Sequence, residues 1–322
     1  MILVSGSLAF DTVMRYGGRF ADQILPGHLE TLSVAFEVGE LRRDFGGCAG
    51  NICYSLGLLG ESACPWGAVG RDFGPYRSWL EERGISTVAL HPVETLTAQA
   101  YIMTDRDDNQ ITAFHPGAML ASGQAPFPAV LEKQVRIGVV APDSREGMRA
   151  HARDFRARSV PYLFDPGQAL GILSAEDVYE ITTGAGVVAV NDYEAGLLGK
   201  RFGFTIQNLL EQVGVVVQTR GREGSWIWTR TTDRVEIPPV VPAAEIDPTG
   251  CGDAYRAGLL WGWVRGLDWA VTGRVASLLG AFKIECAGTQ NHGFQPAEFW
   301  SRYRSAFALT PPEFSRTREL PA

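Results

Sequence analysis

Asp247-Pro248-Thr249-Gly250-Cys251-Gly252-Asp253 leads straight into AYRAGLLWGWV, a helical stretch. Two glycines let backbone N–H groups converge without Cβ obstruction, and the helix start adds its dipole. The amides of Gly250, Cys251 and Gly252 therefore make a candidate anion hole. Asp253, in the first helical turn, can take a proton from a hydroxyl as it attacks phosphorus, while the hole stabilises the transferred phosphoryl group. The same residues also fit a plain helix start, where an early Asp is favoured. The P-loop pattern G-x-x-x-x-G-K-[ST] does not occur in the chain.

Four other constellations have chemical potential. Gly46-Gly47-Cys48-Ala49-Gly50-Asn51 is a glycine turn running into a helix, open to close approach by a substrate. Asn51 offers a donor and an acceptor suited to hydroxyls; tight helix–sheet packing explains the glycines equally well. Ser7 and Asp11 follow the first strand, at the end where open parallel sheets bind ligands. An Asp there can clamp two sugar hydroxyls, or simply cap a turn. Asn191 and Glu194 share one helix face and suit a hydrated Mg²⁺, or an ordinary helix cap. Thr219-Arg220-Gly221-Arg222-Glu223-Gly224 suits nucleotide phosphates, or is only a turn between strands.

The elements that must position these residues alternate. Apolar strands are expected at Met1–Val4, Cys64–Val69, Val135–Ala141, Tyr162–Phe164, Val187–Val190, Val213–Gln218 and Ser225–Thr229. Helices are expected at Ala49–Leu59, Tyr76–Arg83, Glu146–Arg158, Ala175–Thr183, Asp192–Leu198, Ile206–Gln212, Gly252–Val264 and Trp269–Glu285. This rhythm predicts an α/β fold with a mostly parallel sheet covered on both faces. Two stretches break it: LETLSVAFEV, and TAQAYIMTDRDDNQITAF around an Asp-rich turn. Their period of two marks strands with one exposed face, hence a small β lid or an antiparallel edge of the main sheet. The division expected is 1–11, 45–96 and 117–322 for the large α/β domain, and 12–44 with 97–116 for the lid. The tail Thr310–Ala322 is polar, with Pro311-Pro312, and is expected to fray.

Composition limits the partners. The 322 residues are 45% hydrophobic and 20% charged, an ordinary globular balance. Net charge is −7, with no basic footprint for nucleic acid. No run of about 18 apolar residues predicts a membrane span. The start, MILVSGSLAFD, lacks a basic n-region, and five cysteines form no C-x-x-C pair, so a reduced, cytoplasmic protein is expected. The five histidines form no H-x-x-x-H pair. Trp261, Trp263 and Trp269 read as core or interface.

In order and spacing, G-G-x-x-x-N near 50, N-x-x-E near 191 and D-x-T-G-x-G-D near 247 resemble the ribokinase-like (PfkB) kinases over essentially the whole chain. FGGCAGN, FHPGAM, NDYE and DPTGCGDAYRAG look most like adenosine kinases of the actinobacterial type. The resemblance implies a large α/β domain with a β lid, and phosphoryl transfer from ATP to the 5′-hydroxyl of adenosine. Another nucleoside such as guanosine or inosine, a free sugar, or a non-catalytic nucleotide sensor stay open. It further implies Asp253 as general base, and Ser7, Asp11, Gly47 and Asn51 at the ribose. Tyr101 and Phe114 would sandwich the purine, and Gln168 would lie near the base or sugar. Asn191 and Glu194 would organise Mg²⁺; Asn191, Thr219, Gly221 and Gly224 would line the ATP site. Asp247, Thr249 and the Cys286–Gly288 turn are candidates for a K⁺ site, and a homodimer through the lids is the oligomer implied. Departures are Cys251 where many relatives have Ala, Asp44-Phe45 before the first glycine pair, and Ala35 where a lid hydroxyl is expected to reach the base.

Overall fold

A computed structural model describes residues 1–24, 30, 33–231 and 234–312. In chain order the elements are β1 (Ile2–Ser5), β2 (Ala9–Tyr16), α1 (Phe20–Gln23), β3 (Val38–Gly46), α2 (Cys48–Leu58), β4 (Ala63–Val69), α3 (Gly74–Glu82) and β5 (Leu90–Pro92). Then come β6 (Ala98–Thr104), β7 (Gln110–His115), β8 (Ile137–Val140), α4 (Arg145–Ala157), β9 (Tyr162–Phe164), α5 (Ala175–Thr182), β10 (Val187–Asn191) and α6 (Asp192–Leu197). The chain closes with α7 (Ile206–Gln212), β11 (Val215–Thr219), β12 (Ser225–Thr229), β13 (Val235–Ile237), α8 (Cys251–Trp263), α9 (Trp269–Ile284) and α10 (Pro296–Phe307).

The large sheet has the order β13-β12-β11-β10-β9-β8-β1-β4-β5. It is parallel from β11 to β5, while β12 and β13 join antiparallel. Its strands alternate side chains between two cores. Ile2, Val4, Val139, Leu163, Ala189 and Val217 point to the face covered by α2, α8 and α9. Leu3, Trp66, Val140, Phe164, Val188 and Val216 point to the face covered by α4 and α5. Each aliphatic side chain so buried contributes about 1.5–3 kcal/mol relative to exposure, which makes this sheet the rigid frame. Strand order reverses between β1 and β8, and ligands of open α/β sheets bind at such a switch point, beyond the carboxyl ends of the strands.

A second sheet, β3-β2-β6-β7, stands apart from the first, as the period-two stretches predict. It starts at Ala9 and reaches Gly46, wider at both ends than the alternation suggests. LETLSVAFEV is not itself the strand: β3 begins only at its last residue, Val38. Within the described part of that stretch, Phe36 packs edge-on against Tyr16 and Phe20 in an aromatic cluster. Positions 29, 31 and 32 of the stretch, and 313–322 of the tail, lie outside the described residues. The alternation also missed β5, β13 and α10, which are short or late amphipathic elements. Trp261 is buried, and Trp263 and Trp269 pack against the core around α8 and α9, as read from the sequence. No helix among the described residues is long and apolar enough to cross a membrane.

Candidate active site

The five sequence constellations converge at the carboxyl ends of the central strands. A cavity of about 940 Å³ is lined by Ser7 and Asp11 beyond β1, Gly47 and Asn51 at α2, Asp165 and Gln168 beyond β9, Asn191 at the end of β10 and Glu194 just after it. Thr219, Gly221, Thr249, Gly250, Gly252 and Asp253 complete that wall, and the lid contributes Ala100 and Phe114. A smaller cavity of about 280 Å³ lies on the other side of the α8 start, lined by Gly224, Val240, Cys251 and Tyr255 among others. Thr219, Gly221 and Gly252 line both, so the two cavities meet at the N-terminus of α8.

The local backbone explains the glycines. Gly250 caps α8 in the left-handed region, φ 79° and ψ 0°, which turns the following N–H groups outward from a helix of 13 residues. Gly47 has φ 86°, and a Cβ there would sit 2.5 Å from the Ser7 carbonyl. That close approach lets the Ala49 N–H reach the Ser7 carbonyl at 3.0 Å and the Cys48 N–H reach Ser7 Oγ at 3.2 Å. The start of α2 is thereby locked to the end of β1.

Asp253 sits where α2 and α8 meet. Its Oδ2 accepts a hydrogen bond from Asn51 Nδ2 at 2.8 Å. Asn51 is held in turn: its Oδ1 accepts from Gln290 Nε2 at 3.0 Å. Gln290 also donates to the Tyr76 hydroxyl, which donates to the Gly46 carbonyl at 2.9 Å, and accepts from Trp79 Nε1 at 3.1 Å. With its oxygen occupied by Gln290, Asn51 presents N–H to the carboxylate. Burial pushes the Asp253 carboxyl up to about 6, against the opposing pull of the Asn51 hydrogen bond. Arg256, one turn along α8, is buried and clamps both oxygens of Asp165 at 3.0 and 3.1 Å, with Glu194 at 3.7 Å. Sequence reasoning missed Arg256 and Gln290. The signal for Arg256 was its i,i+3 spacing from Asp253; Gln290 had none.

Asp11 stands on β2, and a Cβ on Gly46 would lie 2.2 Å from its Oδ2, so that glycine leaves room for the carboxylate. Burial, together with the charges of Asp44 and Asp247, pushes Asp11 up to about 6. Gln168 faces Cys48, its Nε2 3.8 Å from Sγ. Asn191 and Glu194 form a reciprocal cap at the start of α6, with hydrogen bonds of 2.8 Å. Burial raises the Glu194 carboxyl while Arg256 opposes it.

One expected pair is not brought together. Ala100 pairs with Phe114 and Tyr101 with Ala113, so Phe114 faces the cavity and Tyr101 the opposite side of the lid sheet. There the Tyr101 hydroxyl donates to Gln99 Oε1 at 2.7 Å. The sandwich of a base between Tyr101 and Phe114 is therefore corrected to Phe114 alone, joined by Pro116, Met119, Leu120 and Ile172 around the cavity. Ala35 is exposed and lines neither cavity.

The residues implied for cations fare differently. Among the described residues no three His, Cys, Asp or Glu side chains gather as a metal cage. Asn191 and Glu194 line the cavity and already hydrogen-bond each other, so a Mg²⁺ there would be met through its own waters and not by direct ligation. At the positions implied for K⁺, both Asp247 carboxylate oxygens already accept N–H groups, from Thr249 and Gly288, each at 2.9 Å. The carbonyls of Asp247 and Cys286 each accept from Lys283 Nζ at 3.0 Å.

Fold and cleft together are those of a phosphotransferase with backbone amides at a helix N-terminus. A model of the pfkB family carbohydrate kinases matches residues 7–296, and the chain belongs to that family. It is similar to a nucleoside kinase of Methanothermobacter thermautotrophicus, 32% identical across 85% of this chain and 89% of that protein. Among solved structures it resembles Burkholderia thailandensis nucleoside kinase in complex with inosine, 40% identical with a TM-score of 0.86, covering 97% of this chain and 100% of that one. It also resembles the nucleoside kinase of Methanocaldococcus jannaschii, 27% identical with a TM-score of 0.83, covering 94% and 98%.

The family resemblance implies Asp253 as general base, and a base must be deprotonated to work. The ratio kcat/KM is expected to fall as pH drops through about 6, following Asp253. Asp11 titrates in the same range, so the profile of Asp11→Asn separates the two. The acid limb should persist in that variant; a profile that becomes flat down to about pH 5 would assign the limb to Asp11 instead.

Proposed function

We propose that the enzyme transfers the γ-phosphoryl group of ATP to the 5′-hydroxyl of a purine nucleoside, with adenosine, giving AMP, as the first candidate. The observation that carries this reading is the meeting of two cavities at the α8 N-terminus beside Asp253. The larger would take the nucleoside and the smaller ATP. As the 5′ O–H bond breaks, Asp253 accepts the proton; the oxygen bonds to the γ-phosphorus and the bond to the β–γ bridging oxygen breaks, leaving ADP. The N–H groups of Gly250, Cys251 and Gly252 would meet the charge on the phosphoryl oxygens. A hydrated Mg²⁺ near Asn191 and Glu194 would neutralise the triphosphate.

The larger cavity favours a nucleoside over a bare pentose. Its volume is in the range of whole small-molecule sites, and its lid side presents Phe114, Pro116, Met119, Leu120 and Ile172, an apolar wall for a flat base. Stacking on one aromatic face contributes about 0.5–1.5 kcal/mol beyond burial. The cavity is lined by Asp11, Asp165, Glu194 and Asp253 against two arginines already engaged, Arg256 by Asp165 and Arg145 by Asp177. That suits hydroxyls and disfavours a phosphorylated acceptor. The similarity to nucleoside kinases, one of them solved with inosine, supports the same class and keeps inosine beside adenosine.

Phosphoryl transfer from ATP should be assayed against adenosine, inosine, guanosine, cytidine, ribose and fructose 6-phosphate. Purine nucleosides are expected to lead, with the 5′-monophosphate as product. Turnover of ribose or fructose 6-phosphate without any nucleoside would overturn the reading.

The lid also supports a homodimer. Every residue of β7 is exposed and its outer edge has no partner strand among the described residues, while Ile111, on the face away from the cavity, remains uncovered. Sedimentation equilibrium should show two chains per particle, and Ile111→Lys should shift it toward one. A monomer at all concentrations would remove the lid pairing.

A further inference from the structure

Lys283 is 0% exposed, in the last turn of α9. Burying an ammonium is costly unless its donors are met, and here two of its three are met by carbonyls rather than by a carboxylate. Nζ donates to the carbonyl of Asp247, just before the anion-hole loop, and to that of Cys286, in the turn after α9. The same two segments are stitched again by the Gly288 N–H on Asp247 Oδ2, at 2.9 Å, and by the Ile246 N–H on the Ile284 carbonyl, at 2.8 Å. The lysine stem runs beneath the hole: its Cε lies 3.5 Å from where a Cβ on Gly250 would be.

A desolvated monovalent cation holds carbonyl oxygens of separate segments together, as the resemblance to the ribokinase-like kinases implies for K⁺ here. The residues do not fit that ion. Two of the carbonyls it would use are bonded to Lys283, and both Asp247 carboxylate oxygens are bonded to N–H groups. We propose that Lys283 is a tethered cation that takes the place of a bound monovalent ion and positions the loop 247–250, making the enzyme independent of K⁺. Its placement at the C-terminal end of α9 is favourable for a positive charge. Lys283 is a positioning residue: it acts through the loop, whose N–H groups face the substrate. The role assigned to the loop rests on the phosphotransfer reading, but the cation occupancy does not.

The test compares initial rates of the full-length enzyme in chloride salts of K⁺, Na⁺ and tetramethylammonium at equal ionic strength. Equal rates are expected; a strong rise in K⁺ over tetramethylammonium would overturn the proposal. Lys283→Met keeps the stem and removes the charge. Its kcat should fall by about 10²-fold, the usual scale for a displaced reacting group, with KM for the nucleoside little changed. Partial rescue by K⁺ or methylammonium, but not by tetramethylammonium, is expected; an unchanged kcat would refute the role. Thermal midpoints separate this inference from the functional reading. The midpoint of the unaltered protein should be the same in K⁺ and tetramethylammonium whether or not a substrate has been found, and a K⁺-specific rise would show a bound ion. Were Lys283→Met not to fold, the two comparisons on the unaltered protein still decide.

Discussion

The hydrogen bond from Asn51 to Asp253 joins side chains 202 residues apart, and the site is organised around it. It links α2, which begins beyond the lid strand β3, to α8, which begins with the proposed anion hole. A carboxylate partly withdrawn from water is costly to charge, and burial pushes the Asp253 carboxyl up to about 6. The value suits the general-base role proposed for Asp253, because a base works best when it titrates near the operating pH. Asn51 keeps the carboxylate from rising further, and Gln290, Tyr76 and Trp79 keep Asn51 turned the right way. Each member of this chain is buried or partly buried and engaged by the next, so each side chain in it is fixed by its neighbours.

The same economy explains how an acidic protein can handle a triphosphate. A net charge of −7 argues against a large anionic partner, and the larger cavity is itself lined by carboxylates. The charges of opposite sign are local and mostly outside a side-chain count. They are the N–H groups at the α8 start, the dipole behind them and the Lys283 ammonium beneath Gly250. Arg256 neutralises Asp165 and approaches Glu194, which keeps the floor of the cleft from repelling the ligand outright.

Much of this was legible in the residues. Apolar strands alternating with helices announce the parallel sheet, and turns rich in glycine at the strand ends announce where ligands sit. Asp253 stood out because its glycines, helix start and carboxylate fall within seven consecutive positions. Less legible were features set by pairing between distant segments. Phe114 and Tyr101 both read as lid aromatics, but which faces the cleft depends on the register of β6 against β7, and that is invisible in either strand alone. Gln290 follows a turn with no periodicity and becomes informative only when Asn51 and Tyr76 lie beside it. Lys283 reads as an ordinary helix-end lysine until the fold brings the Asp247 and Cys286 carbonyls to its ammonium.

The central claim is that Asn51 and Asp253 act as one unit. A double-mutant cycle on kcat, with Asn51→Ala, Asp253→Asn and the pair together, tests it most directly. Loss of the base alone should cost about 10²–10⁴-fold, the usual range for general-base removal. Removing Asn51 should be costly in the presence of Asp253 and nearly without effect in its absence, so that the double variant matches Asp253→Asn. Losses that multiply would contradict the account, showing that the two side chains contribute independently.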